Sequence, residues 1–420
     1  MDCKDDNREK VIIAGLHTGR RDSLNDTTDE SMNELCELVD TAGGEVAGEM
    51  VQNRPMPESG TYFGEGKLGE LKEMTEALGA TLVVFDDEVS PIQLRNISDI
   101  LGVRVIDRSM LILDIFAMRA RSGEGKLQVE LAQLKYQLPR LRGMGLELSR
   151  TGGGIGTRGP GETKLESDKR HIRARINALE EQIAEIKKHR ELLRSRRHKD
   201  GHIVGAIVGY TNAGKSTLLN RLTDAGVFAE DKLFATLDTT SRAIMLDDNR
   251  QIILIDTVGF IRKLPHYLIE AFNSTLEEAA DADFIIHVID GASPDADMRI
   301  RVVDEVLSEI GAGGKPTINV YNKCDISGGV IPSNTENNVF ISAKTGQGIN
   351  DLMQAIADTA PGKKLRTTLL IPYSDGGVLN TLHTTEKIIS EEYREDGIKI
   401  HALIDGALFA AVKKYEINEG

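Results

Sequence analysis

The chain has 420 residues, 40% hydrophobic and 28% charged, which suits several soluble domains and offers no uninterrupted apolar stretch of the ~18 residues that a membrane span needs. Its three cysteines, Cys3, Cys36 and Cys324, fit neither a disulfide framework nor metal-ligand spacing, and the acidic, polar start carries no secretory signal; the expected location is cytoplasmic, with peripheral membrane contact as the alternative. The net charge of −15 argues against DNA as a partner, yet residues 140–200 hold 16 Lys+Arg against 9 Asp+Glu, so one basic segment stands out as either a phosphate contact or a solvated helix face.

In chain order, residues 11–14, 45–52, 81–85 and 104–106 read as strands, and 32–41, 67–78 and 91–101 as helices. This alternation predicts a small α/β domain with mostly parallel strands over residues 1–122. Within it the turn Gly60-Thr61-Tyr62-Phe63-Gly64-Glu65-Gly66-Lys67 opens a helix and is either a structural loop or an anion cradle. Leu127, Leu131, Leu134, Leu138 and Leu141 then step by four and three, and Ile172, Ile176, Leu179, Ile183, Ile186 and Leu193 continue that spacing. Two such stripes predict an antiparallel, coiled-coil-like helical hairpin over 123–200, the alternative being that each packs on a neighbouring domain. Between them, residues 143–161 contain 8 glycines, too many for a core. Arg150 and Arg158 within this segment, flanked by Arg140, Arg142 and Lys164, are candidate RNA-binding residues, because guanidinium forks suit phosphate. Strand, loop and helix patterns return over 201–361, as in a P-loop domain with a mainly parallel sheet. Residues 362–420 read as a small α+β domain, with strands at 367–372, 387–393 and 398–404 and helices near 376–383 and 406–415.

The chemistry is concentrated in the 201–361 segment. Gly209-Tyr210-Thr211-Asn212-Ala213-Gly214-Lys215-Ser216 is a complete G-x-x-x-x-G-K-S/T phosphate loop between an apolar run and a helix that opens at Thr217. Glycines let backbone N–H groups converge on phosphate, Lys215 reaches the terminal phosphates and the Ser216 hydroxyl suits Mg²⁺. Phe234-Ala235-Thr236-Leu237-Asp238 follows, with Thr236 as the candidate catalytic and Mg²⁺-binding threonine and Thr239 and Thr240 in reserve. In Asp256-Thr257-Val258-Gly259, Asp256 is the further Mg²⁺ candidate and the Gly259 N–H faces the γ-phosphate. Asn322-Lys323-Cys324-Asp325 supplies base selection, since the Asp325 carboxylate accepts both N1–H and the exocyclic amine of guanine. Ser342-Ala343-Lys344 completes the set at guanine O6. Five motifs in order, each at the carboxyl end of a predicted strand, predict GTP and GDP as ligands. Phe260 stands where Ras-like GTPases carry a water-orienting glutamine, and an apolar side chain cannot do that work, so intrinsic hydrolysis is expected to be slow and partner-stimulated. Asn212 matches the asparagine that coordinates K⁺ in some potassium-activated GTPases.

The order of parts, with Ser149-Arg150-Thr151-Gly152-Gly153-Gly154-Ile155-Gly156-Thr157-Arg158-Gly159-Pro160-Gly161-Glu162-Thr163 ahead of the nucleotide motifs, resembles the HflX family of bacterial translation-factor GTPases over nearly the whole chain. The resemblance implies a monomeric GTPase that binds the large ribosomal subunit and its ribosomal RNA and separates stalled or idle ribosomes under stress. It also implies that the glycine-rich loop reaches RNA near the peptidyl-transferase centre, and that the N-terminal domain aids splitting and binds ATP. Phe260 agrees with the family pattern, whereas residues 362–420 match it least. The competing expectation is a regulatory switch that docks on protein or membrane through the hairpin.

Overall fold

The computed structural model describes residues 8–19, 28–141, 160–199, 202–223, 233–234, 240–248, 250–263, 273–326, 338–362, 365–404 and 406–417. Four parallel strands come first: β1 (Lys10–His17), β2 (Glu45–Asn53), β3 (Leu82–Phe85) and β4 (Arg104–Asp107), in the order β2-β1-β3-β4. They are layered with α1 (Thr28–Thr41), α2 (Glu65–Leu78), α3 (Pro91–Leu101) and α4 (Arg108–Arg119). Local chemistry sets the helix ends. Ser90 and Gln93 form a capping box around Pro91, and Gly102 closes α3 in the left-handed region at φ 72°. The Asp107 carboxylate accepts from the Met110 amide at 2.9 Å, which starts α4 directly from β4 without a loop.

The turn at 60–67 is tied down by its own neighbours. The amides of Tyr62, Phe63 and Gly64 donate to Glu58 O, Thr61 O and Gln52 Oε1. The Tyr62 and Phe63 rings are buried against Phe85 with centroids 5.2 and 5.3 Å away. With three of its amides engaged and its two rings buried, the turn fits the structural reading better than the anion cradle.

The helical hairpin follows as α5 (Gly123–Arg140) and α6 (Pro160–Lys199). Its seam is the expected stripe: Leu131, Ile176 and Leu179 are buried, with Leu127, Leu134, Leu138, Ile172 and Ile183 packed around them. Leu193 departs from the pattern and is exposed. Near that level α6 passes the first turn of α5, which it still meets through Arg190 and Glu124. It lies against α8 (Asn273–Asp281), and ion pairs replace apolar contacts there: Lys187 to Glu277, Arg190 to Glu124 and Glu277, and Arg194 to Glu277, Glu278 and Asp281. Arg140, expected to flank the basic loop, is instead paired with Asp107 at 3.0 Å and stacked over Tyr136. The loop itself, with Arg150 and Arg158, lies outside the described residues.

The central sheet comprises β5 (Ile203–Gly209), β6 (Thr240–Met245), β7 (Gln251–Asp256), β8 (Phe284–Asp290), β9 (Thr317–Asn322) and β10 (Asn338–Phe340), in the order β10-β9-β8-β5-β7-β6. All its neighbours run parallel except β6 against β7. Its helices are α7 (Lys215–Thr223), α8, α9 (Ala296–Glu309) and α10 (Ile349–Thr359). One face packs Ile207, Leu254, Phe284 and Ile286 against α7 and α10. The other is continuous with the N-terminal domain: Phe116 meets Phe234 edge to face with centroids 4.6 Å apart. The last unit is an antiparallel sheet, β11 (Leu365–Ile371), β13 (Gly397–Ile404) and β12 (Lys387–Arg394) in that spatial order, covered by α11 (Gly376–Thr385) and α12 (Gly406–Val412).

Candidate functional site: a phosphate loop beneath the N-terminal domain

β5 delivers the phosphate loop at the carboxyl edge of the central sheet. At Gly209 φ is 152° and a Cβ would lie 2.2 Å from Val288 O, so only glycine fits. Gly214 has φ 95°, and a Cβ there would meet Asn322 Nδ2 at 2.3 Å. Asn322 holds the site together. Its Nδ2 donates to Ala213 O and its Oδ1 accepts from the Ala343 amide, both at 2.9 Å, joining three loops through one buried amide. Lys323 donates to Asp290 Oδ2 at 2.9 Å, while Ser342 is fully buried and its Oγ accepts from the Thr345 amide. Asp325 and Lys344 are exposed at the mouth.

Lys215 is buried, and its Nζ donates to Gly209 O and Tyr210 O at 3.1 and 2.9 Å. Burial pushes its ammonium down to about 8, with Asp256 acting the other way. Ser216 Oγ donates to Asp256 Oδ2 at 2.7 Å, and Thr257 Oγ1 donates to Ile207 O at 2.8 Å. The 256–260 segment lies along the phosphate loop: the Thr211 amide donates to Phe260 O at 2.8 Å and the Phe260 amide to Gly209 O at 3.1 Å. A Cβ on Gly259 would stand 2.8 Å from Lys215 Nζ and 2.9 Å from Thr211 Cα. The structure thus brings together Gly209 to Thr217, Asp256 to Gly259, Asn322 to Asp325 and Ser342 to Lys344. Phe234 is buried with φ 52°. Ala235, Thr236, Leu237, Asp238 and Thr239 lie outside the described residues, and Thr240 opens β6 directly opposite Asp256.

His287, buried in β8, is pushed down to about 4 from its ordinary 6.5 by burial and by the Lys215 charge. It is neutral when folded, so between pH 6.5 and 4 only the unfolded chain takes up this proton, and stability is lost as pH falls through that window. At pH 5 the loss is about 2 kcal/mol. In urea unfolding, His287→Leu is expected to narrow the stability difference between pH 7 and pH 5 by about that amount; an unchanged difference contradicts the assignment.

The wall facing the phosphate loop comes from the N-terminal domain. Tyr210 Oη donates to Glu34 of α1 and accepts from the Arg262 amide at 2.9 Å. Burial and Glu34 raise this phenol well above its usual range, so it remains a donor. Arg262 reaches Glu30 at 3.1 Å, and Lys263 reaches Asp86 and Asp87 just beyond β3. Behind them the buried Arg108 guanidinium joins Glu34 to Asp86, whose carboxylate also accepts from Ser31 at 2.6 Å. Burial opposes ionisation of Asp86, but Arg108 and Lys263 hold its carboxyl below the usual range. These partners lie far apart in sequence. Only the basic pair after Phe260 and the acidic pair after β3 offered a signal. The resulting cleft, of about 330 Å³, is lined by Glu30, Glu34, Tyr210, Thr211, Asn212 and Lys323 among others.

Family models match in three blocks: "GTP-binding GTPase N-terminal" over residues 29–117, "GTP-binding GTPase Middle Region" over 119–197 and "50S ribosome-binding GTPase" over 204–323. The chain is 52% identical to GTPase HflX of Caldanaerobacter subterraneus subsp. tengcongensis over 420 residues, covering 99% of this chain and 96% of that protein. It is 44% identical to GTPase HflX of Escherichia coli strain K12 over 380 residues, covering 88% and 89%. Among solved structures it is similar to a GTP-binding protein from Sulfolobus solfataricus in complex with GDP, at 26% identity and a TM-score of 0.45, covering 84% of this chain and 98% of that one. With identity of this order sustained from the N-terminal domain through the phosphate loop, the chain belongs to the HflX family of GTPases and is a GTP hydrolase.

Proposed function

We propose that this GTPase binds the large ribosomal subunit through the tip of its hairpin, contacting ribosomal RNA, and uses the GTP cycle to separate stalled or idle ribosomes under stress. The distribution of charge along α6 carries this reading. Toward the base, Lys187, Arg190 and Arg194 are neutralised by α8. Toward the tip, Lys169, Arg170 and Arg173 form no ion pair with another described residue, and they lead into the segment that holds Arg150 and Arg158. Among the residues whose side chains are described, cationic charge without an ion pair therefore lies toward the hairpin tip, where a phosphate backbone can take it up. The match to a ribosome-binding GTPase model supports the same partner. Most of the two apolar stripes, from Leu127 to Leu138 and from Ile172 to Ile183, packs inside the hairpin, which disfavours coiled-coil docking on a protein.

In the nucleotide site, Lys215 takes the terminal phosphates, the Gly259 amide faces the γ-phosphate, and Asp325, the Ala343 amide and Lys344 frame guanine. Ser216, Asp256 and Thr236 would hold Mg²⁺. The donor set fits that ion, for Ser216 Oγ and Asp256 Oδ2 are hard oxygens already 2.7 Å apart beside the phosphate loop. An ion held there would neutralise charge on the terminal phosphates. Asn212, with φ 58° and lining the cleft, is the K⁺ candidate; equal turnover in Na⁺ and K⁺ removes it. The pairing of α6 with α8 links the hairpin to the GTPase domain. Among the described residues no helix is long and apolar enough to cross a membrane.

Co-sedimentation with purified ribosomal subunits tests the reading. Intact protein is expected to pellet with the large subunit in GTP or a non-hydrolysable analogue, less in GDP, and decreasingly as salt rises, while a version lacking residues 149–161 stays in the supernatant. Absent or nucleotide-independent pelleting of the intact chain contradicts it.

A further inference from the structure

We propose that Thr211 is a catalytic residue of GTP hydrolysis, its hydroxyl orienting the attacking water in place of the glutamine that Phe260 displaces. Phe260 is buried in the core cluster and cannot turn a polar group toward the phosphates. The hydroxyls nearby are already engaged: Ser216 Oγ with Asp256 and Thr257 Oγ1 with Ile207 O. Thr211 Oγ1 differs. It is buried and has no hydrogen-bond partner among the described residues, in a residue only 2% exposed. Native folds rarely leave such a group unmatched, and a catalytic role is one of the few reasons they do, beside strain and a bound water or ion.

Its position suits that partner. Thr211 lines the 330 Å³ cleft, and its backbone is fixed to the 256–260 segment by the 2.8 Å bond to Phe260 O. The point where a Cβ on Gly259 would stand is 2.9 Å from Thr211 Cγ2 and 2.8 Å from Lys215 Nζ, so the threonine methyl, the ammonium and the Gly259 backbone share one small volume, and a rotation about χ1 brings Oγ1 into the place of that methyl. A hydroxyl offers one donor and two acceptor sites. It accepts from the water O–H, aiming the water lone pair at the γ-phosphorus, and donates to a γ-phosphate oxygen. In the step itself the water oxygen bonds to phosphorus, and the bond from phosphorus to the β,γ-bridging oxygen breaks. GDP leaves with that electron pair, the water proton passes to a γ-phosphate oxygen, and Thr211 is unchanged.

The experiment needs no partner and stands apart from the ribosome reading. Single-turnover GTP hydrolysis is measured on intact Thr211→Val and Thr211→Ser, together with affinities for GDP and a non-hydrolysable GTP analogue. Thr211→Val is expected to slow the chemical step about 100-fold while both affinities stay within about threefold, which also shows that the variant is folded, and Thr211→Ser restores the rate to within about threefold. Hydrolysis by Thr211→Val at the parental rate overturns the assignment. So does loss of affinity in parallel with rate, or a serine variant as slow as the valine one.

Discussion

Asp325→Asn is expected to exchange guanine for xanthine, lowering kcat/KM for GTP by about 10⁴-fold and raising it for XTP. The carboxylate at this position only accepts hydrogen bonds, which suits the N1–H and C2 amine of guanine. An asparagine amide offers one acceptor and one donor, matching the N1–H and C2 carbonyl of xanthine and opposing the guanine amine. The frame around the substitution stays intact, because Asn322 and Lys323 hold the loop through Ala213, Ala343 and Asp290, while Asp325 itself is exposed. Thermal stability is therefore expected to be unchanged. Parallel kinetics with GTP and XTP decide the matter, and a uniform loss with both nucleotides removes Asp325 from base selection.

Lys215→Met is expected to separate stability from activity. In the folded chain the ammonium is buried and its pKa is pushed down to about 8 from 10.5, so at pH 7 the charged form opposes folding. That shift corresponds to about 3 kcal/mol, partly offset by the two bonds to Gly209 O and Tyr210 O, which the variant loses. The nucleotide-free variant should thus be as stable as the parent or up to about 3 kcal/mol more stable in urea unfolding, while GTP hydrolysis falls by about 10²- to 10³-fold. A variant that loses stability along with activity shows Lys215 to be a structural residue. The same burial that destabilises the free lysine lets it answer strongly to phosphate oxyanions, which act in a site from which water is largely excluded.

What the sequence made legible follows from how local each cause is. The phosphate loop and its partner motifs were readable because glycines at 209 and 214 and the strand preceding each motif are consequences of a few adjacent residues. The hairpin seam was readable because its stripe repeats. Leu193 was misassigned because spacing cannot tell when a helix changes neighbours, and α6 meets acidic α8 at that level. Helix α4 was missed altogether. It begins at Asp107 without a turn and buries residues around its circumference, so Leu111, Ile112, Leu113, Ile115 and Phe116 present no 3.6-residue period. The wall over the phosphate loop was invisible because each of its bonds joins residues far apart in the chain, such as Glu34 to Tyr210 and Asp86 to Lys263. Arg140 misled because a basic residue beside a basic loop reads as free until Asp107 is seen against it.

These placements converge on one claim, that GTP hydrolysis here answers to a partner bound at the far end of the hairpin. Phe260 removes the usual water-orienting side chain, and three ion-paired basic residues join α6 to α8, which lies downstream of Gly259 in the chain. The most direct measurement is single-turnover GTP hydrolysis with and without purified large ribosomal subunits, for the intact chain and for one lacking residues 149–161. Acceleration of about tenfold or more is expected for the intact chain and none for the shortened one. The same rate for the intact chain with and without subunits contradicts it.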